Sequence, residues 1–142
     1  MSPDSENADL AIVRLGARSE TSVVYTILGG PPEAPEGERD LDLHQAPLLL
    51  DALSAELAHG QSRTVILDLT PLLFADSAGL QAMVYIRQRL DANGRRLYVT
   101  GLGKSVLKVF QLMHLNRYIP VFQSVEEATA AAAASTAKGS PR

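Results

Sequence analysis

Hydrophobic and polar positions along this chain change period several times, and each change marks an element. Leu10-Ala-Ile-Val-Arg-Leu15 and Val23-Val-Tyr-Thr-Ile-Leu28 are β-rich runs separated by the short polar stretch Gly16 to Ser22. That spacing predicts an antiparallel pair. Gly29 to Gly37 is almost entirely breakers and acids, which predicts a loop. From Leu43 to His59, apolar residues fall at Ala46, Leu49, Leu50, Leu53 and Leu57, the spacing of a helix with one core stripe. Asp42 and Gln45 fit a capping box there, and Pro47 implies an irregular or later first turn.

The run Val65 to Leu69, broken only by Asp68, is apolar and bounded by Thr64 and by Thr70-Pro71. It predicts a central strand buried on both faces, stopped by a proline that cannot donate to a ladder. A helix follows from Ser77 or Ala78 to Asp91, ended by Asn93-Gly94. Arg96 to Thr100 is the next strand, and Ser105 to Leu115 an amphipathic helix. Tyr118 to Phe122 contains Pro120, which makes it an edge strand. Ser124 caps a last helix through Ala134, with Glu126 and Glu127 in the turn where the helix dipole favours anions. Met1 to Asp9 and Ser135 to Arg142 read as flexible ends. The order β-β-α-β-α-β-α-β-α is that of an α/β domain: a mixed sheet of about five strands with about four helices, the later strands parallel through right-handed crossovers.

Composition narrows the function. At 142 residues the chain is one ordinary domain, and without cysteine it has neither disulfides nor thiolate metal sites. A net charge of -3 with scattered Lys and Arg is not a nucleic-acid footprint. No apolar run approaches the roughly 20 residues of a membrane span, and Met1 to Asp9 lacks the apolar core of a signal peptide. These features imply a cytoplasmic protein. His44, His59 and His114 have no metal-ligand spacing, and no cofactor is expected.

The candidate chemistry gathers at Asp76-Ser77-Ala78-Gly79, where a helix opens beyond the carboxyl end of a buried strand. Open α/β sheets place functional groups at that edge. Asp and Ser are both good N-caps; with Asp76 in that role, the Ser77 hydroxyl is free. At 100° per residue Gly79, Met83, Ile86 and Leu90 share the core face, with Gly79 permitting close packing. Ser77, Gln81, Val84 and Gln88 face outward as an uncharged stripe with one exposed valine. Together with the flanking Tyr85, this stripe is a candidate partner surface. Asp68, in a buried strand, is expected to make structural hydrogen bonds. Gly101-Leu-Gly-Lys-Ser105 imitates the end of a phosphate-binding loop, but Tyr98 stands where the first glycine is needed, so a strand-to-helix turn is expected. Asp68-Leu-Thr-Pro71 differs from a receiver phosphoacceptor strand in the proline's position, and the first strand lacks the acidic pair that would bind magnesium.

Leu67-Asp68-Leu69, a loop with Phe74, and Asp76-Ser77-Ala78-Gly79-Leu80 resemble the signature of the STAS domain. More narrowly they resemble the bacterial anti-sigma factor antagonists, with their motif D-S-[S/T/A]-G-L. The similarity covers roughly Leu10 to Ala130, and implies a STAS-type fold over 10–134. In that family the serine after the aspartate, here Ser77, is phosphorylated by an anti-sigma factor that is itself a serine kinase of the histidine-kinase-like ATPase fold. A serine phosphatase reverses it. The resemblance thus implies a kinase substrate that regulates transcription by partner switching, not an enzyme. It also places an acidic residue of a G-E-L-D-like segment near the serine. Gly37-Glu38-Arg39-Asp40-Leu41-Asp42 resembles that segment with two extra residues, so either Asp40 or Asp42 is the equivalent. The Gly/Pro-rich stretch 29–40 is longer than the family usually carries and reads as a loop insertion. A STAS scaffold or transport-associated module without a phospho-switch is the main alternative, and a small nucleotide-binding protein a further one.

Overall fold

The computed structural model describes residues 12–137; the flexible N-terminus expected over Met1–Asp9 lies outside them, and of the flexible tail expected over Ser135–Arg142 the first three residues are helical and the rest lies outside the described residues. Seven strands are described: β1 (Val13–Arg18), β2 (Ser22–Ile27), β3 (Arg39–Leu41), β4 (Thr64–Asp68), β5 (Leu72–Ala75), β6 (Arg96–Thr100) and β7 (Val121–Phe122). The five α-helices are α1 (Ala46–Ala52), α2 (Ser54–His59), α3 (Ser77–Ala92), α4 (Lys104–Leu112) and α5 (Val125–Ala137). The main sheet runs β1-β2-β4-β6-β7. Its first pair is antiparallel and the rest parallel, so it is a five-stranded mixed sheet as the element order predicts.

β4 lies at the centre because its side chains are apolar on both faces. Val65 and Leu67 enter a core shared with Leu49, Leu53 and Leu57, with Met83, Ile86 and Leu90, and with Val106 and Phe110. Ile66 points the other way, where it joins Val24 and Tyr98 under Ala128 and Ala132 of α5. The small alanines let α5 lie close on the sheet. Each fully buried Leu or Ile side chain contributes about 1.5–3 kcal/mol, so the Met83–Ile86–Leu90 stripe is enough to hold α3 in place.

Several elements differ from the sequence pattern, each for a local reason. The first strand is shifted to Val13–Arg18, because the chain stays extended through Gly16 and turns only at Ser19, whose N–H donates to Ser22 O at 2.7 Å. The single helix expected over 43–59 is two, so there are five helices instead of four. It breaks at Leu53 (φ -96°, ψ 1°), where the Ser54 hydroxyl bonds back to Asp51 O at 2.8 Å. Such back-bonds bend helices. β7 shrinks to two residues after a 3₁₀ turn at Leu115–Arg117, while Pro120 still accepts from Val99 N–H at 3.0 Å. α5 continues past Ala134 to Ala137, and the Arg96 guanidinium bonds the Ser135 hydroxyl.

The largest departure is a second, two-stranded parallel sheet, β3 with β5. Arg39–Leu41 falls partly inside the stretch 29–40 read as insertion, and Leu72–Ala75 inside the stretch read as loop. Each is too short to carry a period, and neither is a strand without the other. The loop before β3 is clasped by Arg39, whose Nε donates to Ala34 O at 2.7 Å and Nη2 to Pro32 O at 2.9 Å.

Candidate functional site

After β4 the chain turns on Asp68, whose Oδ1 accepts from Thr70 N–H at 3.1 Å and from the Thr70 hydroxyl at 2.6 Å. Asp68 is therefore structural, as expected. β5 then carries the chain beside β3 and delivers Asp76 in extended conformation at the head of α3. Asp76 Oδ1 accepts from Gly79 N–H at 2.7 Å, the bond that caps the helix. Its Oδ2 accepts from Leu43 N–H at 3.3 Å, and its own N–H donates to Leu41 O at 3.2 Å. One carboxylate thus ties the start of α3 to the β3–α1 connection. Ser77, the first residue of α3, is exposed, and its hydroxyl has no hydrogen-bond partner among the described residues.

Gly79 is buried against Leu41, and a Cβ there would sit inside the radius of the Leu41 carbonyl oxygen. Because that oxygen is backbone, it cannot swing away. Gly79→Ala is expected to lower stability by about 1–3 kcal/mol, read from the urea midpoint, as an over-packed site does. Asp76→Ala removes one cap and one inter-element bond and is expected to cost about 1 kcal/mol by the same measurement.

Asp42 sits one residue from the Leu43 N–H that Asp76 holds. Its Oδ1 accepts from His44 N–H at 2.9 Å and Gln45 N–H at 3.3 Å, and Gln45 Oε1 accepts from Asp42 N–H at 3.4 Å. This is the reciprocal capping pattern, placed one turn ahead of α1 because Pro47 delays the helix to Ala46. Asp40 instead lies on β3 opposite Phe74, with its backbone bonded to Gly30 in both directions. Asp42, not Asp40, shares a junction with Asp76.

On α3, Gln81, Tyr85 and Gln88 are exposed. Val84 is a correction to the outward stripe. It is half-buried and packs against the core, because α3 touches α1 and α2 as well as β6, and its covered arc is wider than the single stripe. The exposed apolar residue on this helix is Tyr85, 43 % accessible, whose hydroxyl accepts from Arg89 Nη1 at 3.0 Å. Sequence reasoning missed two further apolar residues around the site, Leu43 and Leu73, 64 % and 56 % accessible; Phe74, 42 % accessible, completes the group. Leu73 and Phe74 lay in a stretch read as loop, and Leu43, read as the start of a helix, lies ahead of α1, which begins only at Ala46.

The opposite edge of the sheet holds a buried charge cluster that the sequence did not suggest. Glu56 Oε2 receives Arg95 Nη2 at 2.6 Å, while Oε1 receives the Tyr25 hydroxyl at 2.7 Å and Arg18 Nη2 at 2.9 Å. Arg95 also donates to Glu56 O and Ser62 O. Burial pushes the Glu56 carboxyl up, but the hydrogen bonds from Arg95, Tyr25 and Arg18 outweigh it and hold the group below the ordinary glutamate range. A glutamate between the core residues Leu53 and Leu57 was the available signal.

Among the described residues no three His, Asp or Glu side chains come together as a metal site. Gly101 takes a left-handed turn (φ 76°) and Lys104 opens α4, so Gly101–Ser105 is the strand-to-helix turn expected of it.

A five-stranded mixed sheet, four helices on one face and one on the other, and a capped Asp-Ser turn at the carboxyl edge together define a STAS fold. The STAS domain family model matches residues 37–128, and the chain belongs to that family. Among solved structures, the anti-sigma factor antagonist SpoIIAA in its unphosphorylated form is 24 % identical (TM-score 0.64), with 82 % of this chain and 91 % of that chain covered. An anti-sigma factor antagonist from Mycobacterium paratuberculosis is 18 % identical (TM-score 0.69; 84 % and 92 % covered). The murine anion transporter Slc26a9 is 16 % identical (TM-score 0.67); the match spans 94 % of this chain but 20 % of the transporter.

Proposed function

We propose that this chain is an anti-sigma factor antagonist. Its unphosphorylated form binds an anti-sigma factor serine kinase of the histidine-kinase-like ATPase fold and so frees the sigma factor. Phosphorylation of Ser77 ends the complex, and a serine phosphatase resets it. The chain acts as the kinase's substrate. The observation that carries this reading is the division of labour at Asp76-Ser77: the carboxylate makes the cap and the hydroxyl stays exposed and unbonded.

The physics of the switch follows from that placement. A phosphoserine adds about -1.5 to -2 charges at pH 7, here beside Asp76 and at a helix N-terminus. The helix dipole stabilises such a group by about 0.3–1 kcal/mol in the free protein, so modification leaves the fold intact. In a fitted interface the same charge is desolvated next to Asp76, which costs several kcal/mol. The partner surface comprises Asp42, Asp76, Ser77, Gly79, Gln81, Val84 and Tyr85, with Val84 shaping it from beneath.

The second reading, a transport-associated STAS module, is favoured by the similarity to the Slc26a9 domain. Among the described residues no helix is long and apolar enough to cross a membrane. The two readings are separated by phosphosite mapping of the protein isolated from the cells that make it. A phosphate on Ser77 is the expected result. Ser77 unmodified under all growth conditions, in a protein bound to membrane transport components, would replace the first reading with the second.

A further inference from the structure

Two segments of opposite charge meet the strand that leads to Ser77. Gly29 to Asp42 carries Glu33, Glu36, Glu38, Asp40 and Asp42 against one base, Arg39, which is spent inside its own loop. Glu36 pairs with Arg14 at 3.3 Å, but Glu33, Glu38 and Asp40 are in no ion pair among the described residues. Ala92 to Val125 reverses the sign: it holds Arg95, Arg96, Lys104, Lys108 and Arg117 and no acid. Lys104 and Lys108 are exposed on α4 and likewise in no ion pair among the described residues. β5 touches both segments, since β3 pairs with it as a strand and α4 packs against it as a helix. β5 itself exposes Leu73 and Phe74.

We propose that this face binds a second copy of the chain. It is self-complementary: a two-fold axis running along β5 brings the apolar strips of the two copies together. The same axis sets the acidic segment of each against the basic helix of the other. An axis across β5 would oppose acid to acid, so charge selects one of the two symmetric arrangements. Two exposed apolar residues per copy make a small centre, and the association is therefore weak and salt-sensitive. Asp76 and Ser77 directly follow β5, so the dimer covers the surface proposed for the kinase, and the two complexes exclude each other. This inference does not rest on phosphorylation and stands or falls separately from it.

The test is sedimentation equilibrium of the full chain up to roughly 0.5 mM, at low and high salt. The samples are wild type, Lys104→Glu/Lys108→Glu, Glu33→Lys/Glu38→Lys, and an equimolar mixture of the two variants. None of the four side chains is in a hydrogen bond or ion pair among the described residues, and thermal melts serve to verify that the variants fold. Wild type is expected to dimerise, with an association constant about tenfold or more lower at high salt. Each variant is expected to lose about tenfold or more, and the mixture to recover association as a heterodimer. A wild type that stays monomeric throughout, or a dimer indifferent to salt and to both charge reversals, would overturn the proposal.

Discussion

Glu56→Ala is expected to remove on the order of 3–5 kcal/mol of folding stability, the largest loss of any single substitution considered in this fold. The reason is less the attraction lost than the charge left behind. Arg95 is 8 % accessible, and without Glu56 its guanidinium stays buried with only backbone carbonyls for partners. Tyr25 loses the acceptor of its hydroxyl in the same step. Domains of this kind have about 5–15 kcal/mol in total, so the variant should unfold at a much lower urea concentration. Glu56→Gln keeps the acceptor geometry without the charge and should fall between. The cluster also sets the acid limit. Because the folded Glu56 titrates below its ordinary range, its contribution is present in full above about pH 4.5 and is lost as pH falls through the folded value. The acid transition should therefore move to higher pH in Arg95→Met, where the group holding that proton off is gone. An unfolding midpoint within about 1 kcal/mol of wild type for Glu56→Ala would mean the cluster is not the keystone the geometry makes it.

Ser77→Asp is expected to weaken binding to the proposed partner, an anti-sigma factor kinase, by a factor of hundreds, while leaving the urea midpoint almost unchanged. A few kcal/mol of like-charge and desolvation cost at the interface is enough for that factor. The fold is spared because Asp76 already carries the cap, so the side chain at position 77 has no structural bond to lose. Ser77→Ala should therefore bind like wild type. Loss of binding together with loss of stability would instead mean that Ser77 holds the turn.

The two strongest predictions differ in how far the sequence could lead to them. Val65–Leu69, the Asp76–Ser77 turn and the Met83–Ile86–Leu90 stripe were legible because each is a local pattern: an apolar run, a cap, a helical period. What surrounds them was not. β3 and β5 have no period of their own, and their pairing is decided by the way Asp76 and Leu41 bond across 35 positions of chain. Leu73 lies on β5, so its exposure was hidden with that pairing, while Leu43 is exposed because the helix expected to begin there starts only at Ala46. Val84 sat on the outward side of an ideal helical wheel, but its burial depends on the sheet beneath. The Glu56 cluster joins β1, β2, α2 and the residue before β6, four places with no sequence relation. Capping and periodicity are read along the chain, whereas a buried ion pair is read only across it.

The central claim is a partner that leaves when Ser77 gains charge, and the most direct measurement is quantitative capture from native lysate. The baits are wild type, Ser77→Ala and Ser77→Asp, with mass spectrometry of the captured proteins. A serine kinase retained by wild type and Ser77→Ala and lost with Ser77→Asp is the predicted result. The same proteins held equally by all three baits would contradict it, and would leave a STAS domain whose serine is only the first residue of a helix.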